Sequence, residues 1–269
     1  MREISRVQVI ESLHSVGLQT GDGLLVHSAL QYLGRPVEGV GMYYSALRTV
    51  LDGAEPASTP GSDPQALTQG TLAVPTFNFA FARGLPYDPE TTPSEGMGAF
   101  SEYIRQHPGA RRTTHPMQSL AVLGRYADDL ASRDTASAFD PGSAFERMLE
   151  LDFKLLLLGA DIQAVSMLHY SEQRLGVPYR YWKDFSGQIH LPNGWQRRTY
   201  RMYVRDLELD PRIELYPVQE TLHKRGQWST VALNYGSISA CRLIDFVAAI
   251  DELLAADPWR LVVNRPQND

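Results

Sequence analysis

The side chains best suited to chemistry are His169 and Glu172, which follow four leucines in the stretch KLLLLGADIQAVSMLHYSEQRLGVPYR, residues 154–180. The leucine run is short, unbroken and ended by Gly159, as expected of a strand buried on both faces. The segment after it predicts a helix, on which a spacing of three places both side chains on one face. An imidazole beside a carboxylate can act as a general base with a charged orienting group. A plain ion pair or a buried structural histidine would show the same spacing. The spacing alone therefore does not distinguish a catalytic pair from a structural one, and the other motifs have to be considered.

The composition of the 269 residues is that of a globular protein, with 43% hydrophobic and 21% charged residues and a formal net charge of -6. There is no long basic run for nucleic acid, since the pair Arg111-Arg112 is too short. No apolar stretch reaches the length of a membrane span, and the amphipathic N-terminus lacks the apolar core of a secretion signal. We therefore expect a cytoplasmic protein that binds neither nucleic acid nor a membrane.

Cys241 is the only cysteine in the chain. An intrachain disulfide is therefore excluded, and a cysteine-based zinc site is not expected. The residue lies in an apolar helical pattern, and we interpret it as a small buried hydrophobe rather than a nucleophile.

Hydrophobic periodicity and turn residues divide the chain into strands that alternate with helices up to residue 175. Strands are predicted at 24–28, 70–79, 119–123 and 155–158. Helices are predicted at 5–16, 42–51, 98–107, 126–132, 143–151 and 239–254, besides the helix that carries His169. Alternation over 184–204 around Asn193-Gly194 predicts a β-hairpin. This order predicts an α/β domain with a mostly parallel sheet and an antiparallel addition, with 53–69 as a polar surface loop.

Several motifs have plain structural interpretations when each is taken by itself. They are LLVHSAL (24–30), GTLAVPTF (70–77), the run 87–124 that contains RRTTHP, and the run 142–173 that ends in LHYSEQ. In this order and spacing they resemble the aminoglycoside 3-N-acetyltransferase family, whose members transfer an acyl group from coenzyme A to an amine. The resemblance covers residues 5–180 strongly and continues more weakly through the C-terminal segment.

The resemblance implies one N-acyltransferase domain over residues 1–269. Its fold would be an α/β/α arrangement with a central mixed β-sheet and an added antiparallel hairpin, distinct from the small GNAT acetyltransferase fold. Acetyl-CoA would be the co-substrate and lie in a groove at the edge of the strands, with the acceptor in an adjoining cleft. The expected partners are acyl-CoA and a small-molecule amine, and the oligomeric state, including a homodimer, is left open.

The chemistry assigns His169 as the general base and Glu172 as the carboxylate that orients it. An alkylammonium has a pKa of about 10.4 and cannot attack a thioester while protonated, so a base that works near pH 7 is needed. Asp88 is a candidate to hold the incoming ammonium or to complete the charge network. The other acceptor candidates are acidic or aromatic: Tyr87, Glu95, Asp184 and Glu220.

Cofactor contacts follow from the resemblance. His27, Ser28 and Leu30 would lie along the cofactor groove, with Thr76 and Arg112 nearby. His115 would either contact the cofactor or hold the fold at Pro116. The oxyanion donor is left open between a backbone N–H and the hydroxyls of Ser28 and Thr76. Because a thiolate leaves readily, direct transfer without an acyl-enzyme is expected, and no metal is required.

The chain departs from the family pattern at three places, which leaves the acceptor open. Segment 53–69 is longer and less glycine-rich than usual, Thr113 replaces a serine, and residues 163–166 replace a threonine-rich run. A resistance enzyme that acts on a 3-amino group and a biosynthetic N-acyltransferase that acts on another small amine or amino sugar both fit. A non-catalytic coenzyme A-binding protein and a metal-dependent hydrolase are further alternatives, although the hydrolase lacks a third ligand at recognisable spacing.

Overall fold

The computed structural model describes residues 2–53 and 69–265, so that most of the predicted loop 53–69 lies outside the described residues. The strands are β1 (Glu3–Ile4), β2 (Gly23–Ser28), β3 (Arg35–Pro36), β4 (Thr71–Pro75), β5 (Arg111–Arg112), β6 (Leu120–Gly124), β7 (Lys154–Leu158), β8 (Arg180–Leu191), β9 (Gly194–Arg205), β10 (Ser229–Leu233) and β11 (Gly236–Arg242). The helices are α1 (Arg6–Ser15), α2 (Gly41–Asp52), α3 (Gly98–Arg105), α4 (Ala127–Ala131), α5 (Ala144–Glu150), α6 (Leu168–Leu175), α7 (Tyr216–Lys224) and α8 (Leu243–Ala256).

The central sheet has seven strands in the order β10-β11-β7-β2-β4-β6-β5. Strands β7, β2 and β4 are parallel to one another, whereas every other neighbouring pair is antiparallel. The predicted mixed sheet is therefore confirmed, but the expectation of a mostly parallel sheet is wrong. Helix α3 lies between β4 and β6 in the chain, yet Pro75 at the end of β4 pairs with Leu120 at the start of β6. The connection returns to the edge that it left, so the helix makes no crossover.

Both faces of the sheet are covered by helices, which gives the α/β/α layers. In β7, Leu155 and Leu157 pack into one core cluster with residues of α5, α6, α7 and α8. Leu156 and Leu158 pack into the other cluster with residues of α1, α2 and α3. The four-leucine run is thus buried on both faces, as predicted, and each side chain contributes about 2 kcal/mol of hydrophobic stabilisation.

The hairpin β8–β9 forms a separate two-stranded sheet. Its pairing runs from Arg180↔Arg205 to Leu191↔Gly194, so it is longer than the predicted 184–204. Ile189 and Tyr200 pack with Phe81, Tyr87 and Met117 in a small apolar cluster. A Cβ at Gly187 would lie 2.8 Å from the Phe81 ring, so the absence of a side chain allows this close approach. These contacts fix the hairpin against the loops at one edge of the central sheet.

The C-terminal region differs from the sequence-based expectation. Residues 239–242 belong to β11 rather than to the predicted helix, and α8 begins at Leu243. A short apolar run fits a strand as well as a helix, and here it pairs with β7, with Cys241 opposite Leu155. Cys241 is buried as predicted, and burial raises the pKa of its thiol, which disfavours the nucleophilic thiolate. No helix in the described part of the chain is long and apolar enough to cross a membrane.

Candidate active site

Four of the nine predicted site residues, His27, Ser28, Leu30 and Thr76, lie at or just beyond the carboxyl ends of the parallel strands. His27 and Ser28 end β2, Thr76 follows β4, and Gly159 follows β7. Because these strands are parallel, their carboxyl ends meet at one edge of the sheet, where ligands bind in many α/β proteins. The chain leaving β7 passes through a short 3₁₀ turn, Ile162–Ala164, and enters α6, which carries His169 and Glu172.

His169 and Glu172 form the predicted pair. The distance between His169 Nδ1 and Glu172 Oε2 is 2.7 Å. The side chain of Glu172 is 1% exposed, whereas that of His169 is 33% exposed. With Nδ1–H donated to the carboxylate, the imidazole has Nε2 free to accept a proton. The buried carboxylate can orient the ring, and the partly exposed ring can meet a substrate.

The carboxylate of Glu172 has a second cationic neighbour that sequence reasoning missed. Arg180 Nε lies 2.8 Å from the same Oε2. Burial raises the pKa of Glu172, but the hydrogen bond from His169 and the charges of His169 and Arg180 outweigh it and hold this pKa below its usual range. Glu172 is therefore ionised. The sequence did indicate that Glu172 needs a cationic neighbour, because a carboxylate within an apolar helix face requires a compensating cation.

His27, Ser28 and Leu30 lie near one another at the end of β2, as the chain requires. Ser28 and Leu30 line a cavity of about 370 Å³, together with Gly34, Val40 and the first residues of α3. His27 is 7% exposed, and its Nε2 has no hydrogen-bond partner among the described residues. The first turn of α3 has no side-chain cap, so it has backbone N–H groups available for an anion.

Thr76 and Arg112 are hydrogen-bonded to each other, and Arg112 is also hydrogen-bonded to backbone carbonyl groups. The Thr76 side chain is fully buried, and Arg112 Nε lies 3.1 Å from its Oγ1. The Arg112 guanidinium also donates to the carbonyl oxygens of Thr76, Pro89 and Thr92. These bonds join β5 to the end of β4 and to the loop between β4 and α3. They favour a structural role, and a cofactor contact through either side chain stays a prediction.

We expect Arg112→Met to lower the free energy of unfolding by about 3 kcal/mol, because buried carbonyl oxygens would lose their donor. Urea unfolding measures this. Arg111→Met is the matched control, since the Arg111 side chain is 46% exposed and makes a surface ion pair with Asp128, and its effect should stay within about 0.5 kcal/mol. Unchanged stability of Arg112→Met, with weaker acetyl-CoA binding, would favour the cofactor role instead.

His115 connects the loop before β6 to the hairpin. Its Nδ1 accepts a hydrogen bond from the backbone N–H of Gln118 at 3.1 Å, and its Nε2 lies 3.4 Å from the carbonyl oxygen of Arg201 in β9. The ring also makes an edge contact with Tyr200 at 5.2 Å between centroids. Of the two predicted roles, these contacts favour holding the fold, while a cofactor contact remains untested.

Burial lowers the pKa of both His27 and His115 from 6.5 to about 4. As the pH falls, these two histidines are therefore protonated in the unfolded chain before they are protonated in the folded protein. The stability that the neutral, buried rings contribute is complete above pH 6.5 and is lost as the pH falls towards 4. We expect unfolding in urea to become easier by about 2 kcal/mol per histidine between pH 7 and pH 5. His115→Asn should flatten this slope by that amount, whereas His14→Asn, at an exposed position, should leave it intact. An unchanged slope in His115→Asn would contradict the assignment.

Asp88 is not brought into contact with His169 and Glu172. Its Oδ1 accepts a hydrogen bond from the backbone N–H of Glu90 at 2.9 Å, and its Oδ2 lies 3.6 Å from His190 Nδ1 in the hairpin. It lines a second cavity of about 770 Å³, along with Arg105, Arg112 and the hairpin tip. His169 and Glu172 line neither this cavity nor the smaller one.

The other acidic acceptor candidates lie at the surface and are not gathered in one acidic cleft. Each acidic one pairs with a cation: Glu95 with Arg83 at 3.1 Å, Asp184 with Arg201 at 3.8 Å and Glu220 with Lys224 at 2.7 Å. Tyr87 is 1% exposed and lies under the Arg112 guanidinium. A contact between any of these residues and an acceptor stays a prediction. No group of three or more candidate metal ligands occurs within 2–53 and 69–265.

A family model described as aminoglycoside 3-N-acetyltransferase matches residues 25–255. The chain belongs to the aminoglycoside 3-N-acetyltransferase family. The predicted family is thus confirmed, and with it the class of enzyme, an N-acetyltransferase.

Relatives within the aminoglycoside 3-N-acetyltransferase family match most of the chain. Aminoglycoside N(3)-acetyltransferase III from Salmonella sp is 33% identical over 194 residues, which are 71% of this chain and 68% of the relative. Aminoglycoside N(3)-acetyltransferase VII from Streptomyces paromomycinus is 27% identical over 216 residues, covering 72% of this chain and 69% of the relative.

Solved structures share the fold. AAC-IIIb in a binary complex with CoASH superimposes with a TM-score of 0.77 at 19% identity and covers 98% of this chain and 100% of that chain. A histidine-to-alanine mutant of AAC(3)-IVa in complex with apramycin gives a TM-score of 0.75 at 24% identity, covering 97% of this chain and 96% of that chain. The predicted α/β fold of this family is therefore confirmed.

Proposed function

We propose that residues 1–269 form one N-acetyltransferase domain that transfers the acetyl group of acetyl-CoA to an amine. The acceptor is the 3-amino group of an aminoglycoside or an amino group of a related aminosugar. The observation that carries this proposal is the His169–Glu172 pair, in which a buried, ionised carboxylate lies 2.7 Å from a partly exposed imidazole. Family membership supports the donor and the class of acceptor.

His169 acts as the general base in this mechanism. As the acceptor nitrogen attacks the thioester carbonyl, Nε2 takes a proton from the nitrogen, and Glu172 stabilises the resulting imidazolium. The C–N bond forms, the C–S bond breaks, and the coenzyme A thiolate leaves and takes up the proton that His169 received, which regenerates the base. Direct transfer fits the position of Cys241, because this thiol is buried in a strand of the central sheet, burial raises its pKa, and it is unsuited to an acyl-enzyme.

Acetyl-CoA is held at the carboxyl edge of the sheet in this proposal. The cavity lined by Ser28 and Leu30 opens onto the start of α3, where uncapped N–H groups suit the phosphates. His27 is available for a hydrogen bond to the cofactor through Nε2, which has no described protein partner. At neutral pH this ring is uncharged, because burial lowers its pKa to about 4.

Release of free thiol from acetyl-CoA tests the proposal, with a panel of deoxystreptamine aminoglycosides and simple amino sugars. Turnover with an aminoglycoside, and mass spectrometry showing one added acetyl group on the 3-amino nitrogen, is the expected result. Absence of turnover with every amine, while acetyl-CoA still binds in calorimetry, would contradict catalysis and favour a coenzyme A-binding protein.

A second candidate is a biosynthetic N-acyltransferase for a less cationic amine, and the charge of the hairpin favours it. The segment 180–205 contains six basic residues and one acidic residue, a net charge of +5 in a chain of net charge -6. The basic ones are Arg180, Lys183, Arg197, Arg198, Arg201 and Arg205, and the acidic one is Asp184. Arg180 is mostly buried against Glu172, but the other five basic side chains are exposed or half-buried on the hairpin and repel a polycationic aminoglycoside. Faster turnover with a singly charged amino sugar than with any aminoglycoside would support this candidate.

A further inference from the structure

Arg180 connects the hairpin to the catalytic pair. It is the first residue of β8, and its side chain is 11% exposed. Its Nε lies 2.8 Å from Glu172 Oε2, and its Nη1 donates to the carbonyl oxygen of Tyr203 in β9 at 3.2 Å. The guanidinium is therefore held between the carboxylate of α6 and the backbone of the opposite hairpin strand.

Two cation-forming groups share one carboxylate oxygen. His169 Nδ1 is 2.7 Å from Glu172 Oε2, and Arg180 Nε is 2.8 Å from it. His169 Nδ1 and Arg180 Nε are therefore at most about 5.5 Å apart. At this separation two positive charges in a partly buried site repel each other appreciably. Arg180 keeps its proton at every pH of interest, so its charge is permanent.

We propose that Arg180 is a positioning residue that holds the Glu172 carboxylate in place, limits its pull on the His169 imidazolium, and so sets the pH above which His169 is an active base. This inference rests on the proposed N-acetyltransferase function. It assigns Arg180 no contact with the substrate and no step in the transfer. It also gives the hairpin a part in catalysis, because the same guanidinium is bonded to β9.

The surroundings of Glu172 leave Arg180 as its permanent counter-charge. The ionisable groups described as interacting with Glu172 are His169, Arg180, Tyr179 and Tyr203. Burial, with the charge of Glu172 adding to it, raises the pKa of Tyr179, and burial also raises the pKa of Tyr203 despite Arg180, so both phenols are neutral. Without Arg180, the hydrogen bond from His169 and the charge of His169 would still hold the pKa of Glu172 low. The charge of the carboxylate would then act on His169 alone.

The sign of the expected change follows from these charges. Loss of the Arg180 charge removes a repulsion from the imidazolium and strengthens the hold of Glu172 on it. The ring then keeps its proton to a higher pH, so the acid limb of kcat/KM moves towards alkaline pH. Because His169 is partly exposed, solvent reduces the effect to about one pH unit.

The test compares Arg180→Gln, Arg180→Lys and the control Arg205→Gln. Arg205 is the last residue of β9, pairs opposite Arg180 in the hairpin and makes an exposed ion pair with Asp210 instead of one with Glu172. kcat/KM for thiol release is measured from pH 5 to pH 9. We expect Arg180→Gln to shift the acid limb upwards by about one unit and to lower the plateau about tenfold. Arg180→Lys should keep the acid limb and recover at least about a third of the plateau, since it retains the charge. Arg205→Gln should match the parent enzyme.

A lower plateau with an unshifted acid limb in Arg180→Gln would overturn the proposal, because a purely structural role predicts that result. Circular dichroism establishes whether Arg180→Gln folds. If Arg180→Gln does not fold, the proposal is tested with Arg180→Lys. A plateau below about a third of the parent value, or a displaced acid limb, in that variant overturns the proposal.

A second measurement separates this inference from the proposed function. The ring signal of His169, assigned by its loss in His169→Ala, is titrated by NMR in the parent enzyme and in Arg180→Gln. A midpoint that rises by about one unit in a protein that acetylates no amine supports the role of Arg180 while the proposed function fails. Equal midpoints in an active enzyme overturn the role of Arg180 and leave the function standing.

Discussion

Replacement of His169 by alanine is expected to lower kcat/KM for acetyl transfer about 10³-fold. The ring is the only group in the pair that solvent reaches, since Glu172 is 1% exposed and His169 is 33% exposed. Loss of a positioned general base removes a factor of 10² to 10⁴ in typical enzymes, and a protonated amine has no other route to its nucleophilic form in this mechanism. Steady-state kinetics of thiol release at pH 7.5 measure the effect.

Coenzyme A binding should survive this substitution, with a Kd within about threefold of the parent value, because His169 lines neither of the described cavities. Titration calorimetry with coenzyme A checks this. His223→Ala is the control, since His223 is an exposed histidine on α7, and it should leave both kcat/KM and Kd unchanged. Normal turnover by His169→Ala would remove His169 from the role of base.

Replacement of Glu172 by glutamine is expected to reduce both activity and stability. The amide keeps the shape of the side chain but not its charge, so neither the imidazolium nor Arg180 is neutralised. We expect kcat/KM to fall about 10²-fold. Removing one partner of a buried ion pair leaves the other charge uncompensated, so the free energy of unfolding should fall by about 3 kcal/mol.

Urea unfolding at pH 7 measures the stability term, and thiol release measures the activity. Glu150→Gln is a suitable control, because Glu150 is 52% exposed and pairs with Arg147 at the surface. The double variant Glu172→Gln, Arg180→Met should recover part of the stability of Glu172→Gln but none of its activity, since it removes the unpaired charge without restoring the carboxylate. A Glu172→Gln protein as stable as the parent would show that the carboxylate is not charged in the folded state.

Local features of the chain were predictable because each depends on residues close in sequence. Helix α1 lies within the predicted 5–16, the four leucines form a buried strand, and Asn193-Gly194 lies at the turn of the hairpin. The pairing of His169 with Glu172 follows from one turn of helix. The family also followed from sequence, since its motifs keep their order and spacing along the chain.

Only the tertiary structure decided which polar side chains are exposed and which are held by the fold. The sequence interpretation placed Thr76, Arg112 and His115 in one group with Ser28 and Leu30. The structure instead buries Thr76, whose hydroxyl meets an arginine 36 positions away in the chain, and joins His115 to a carbonyl 86 positions away. Such contacts depend on which strands become neighbours, and strand direction was itself mispredicted between β4 and β6.

Arg180 shows the same division at the candidate site. Sequence determined that a carboxylate lies beside an imidazole on α6, because helix geometry alone brings residues three apart together. It did not determine that a guanidinium eight residues further on shares the same oxygen, because the chain leaves the helix at Gly176 and enters a strand of another sheet before reaching it. The position of the first residue of β8 beside α6 decides that contact. The pairing of the base with its carboxylate therefore follows from their spacing in the sequence. The other charge beside them, that of Arg180, is brought there only by the fold.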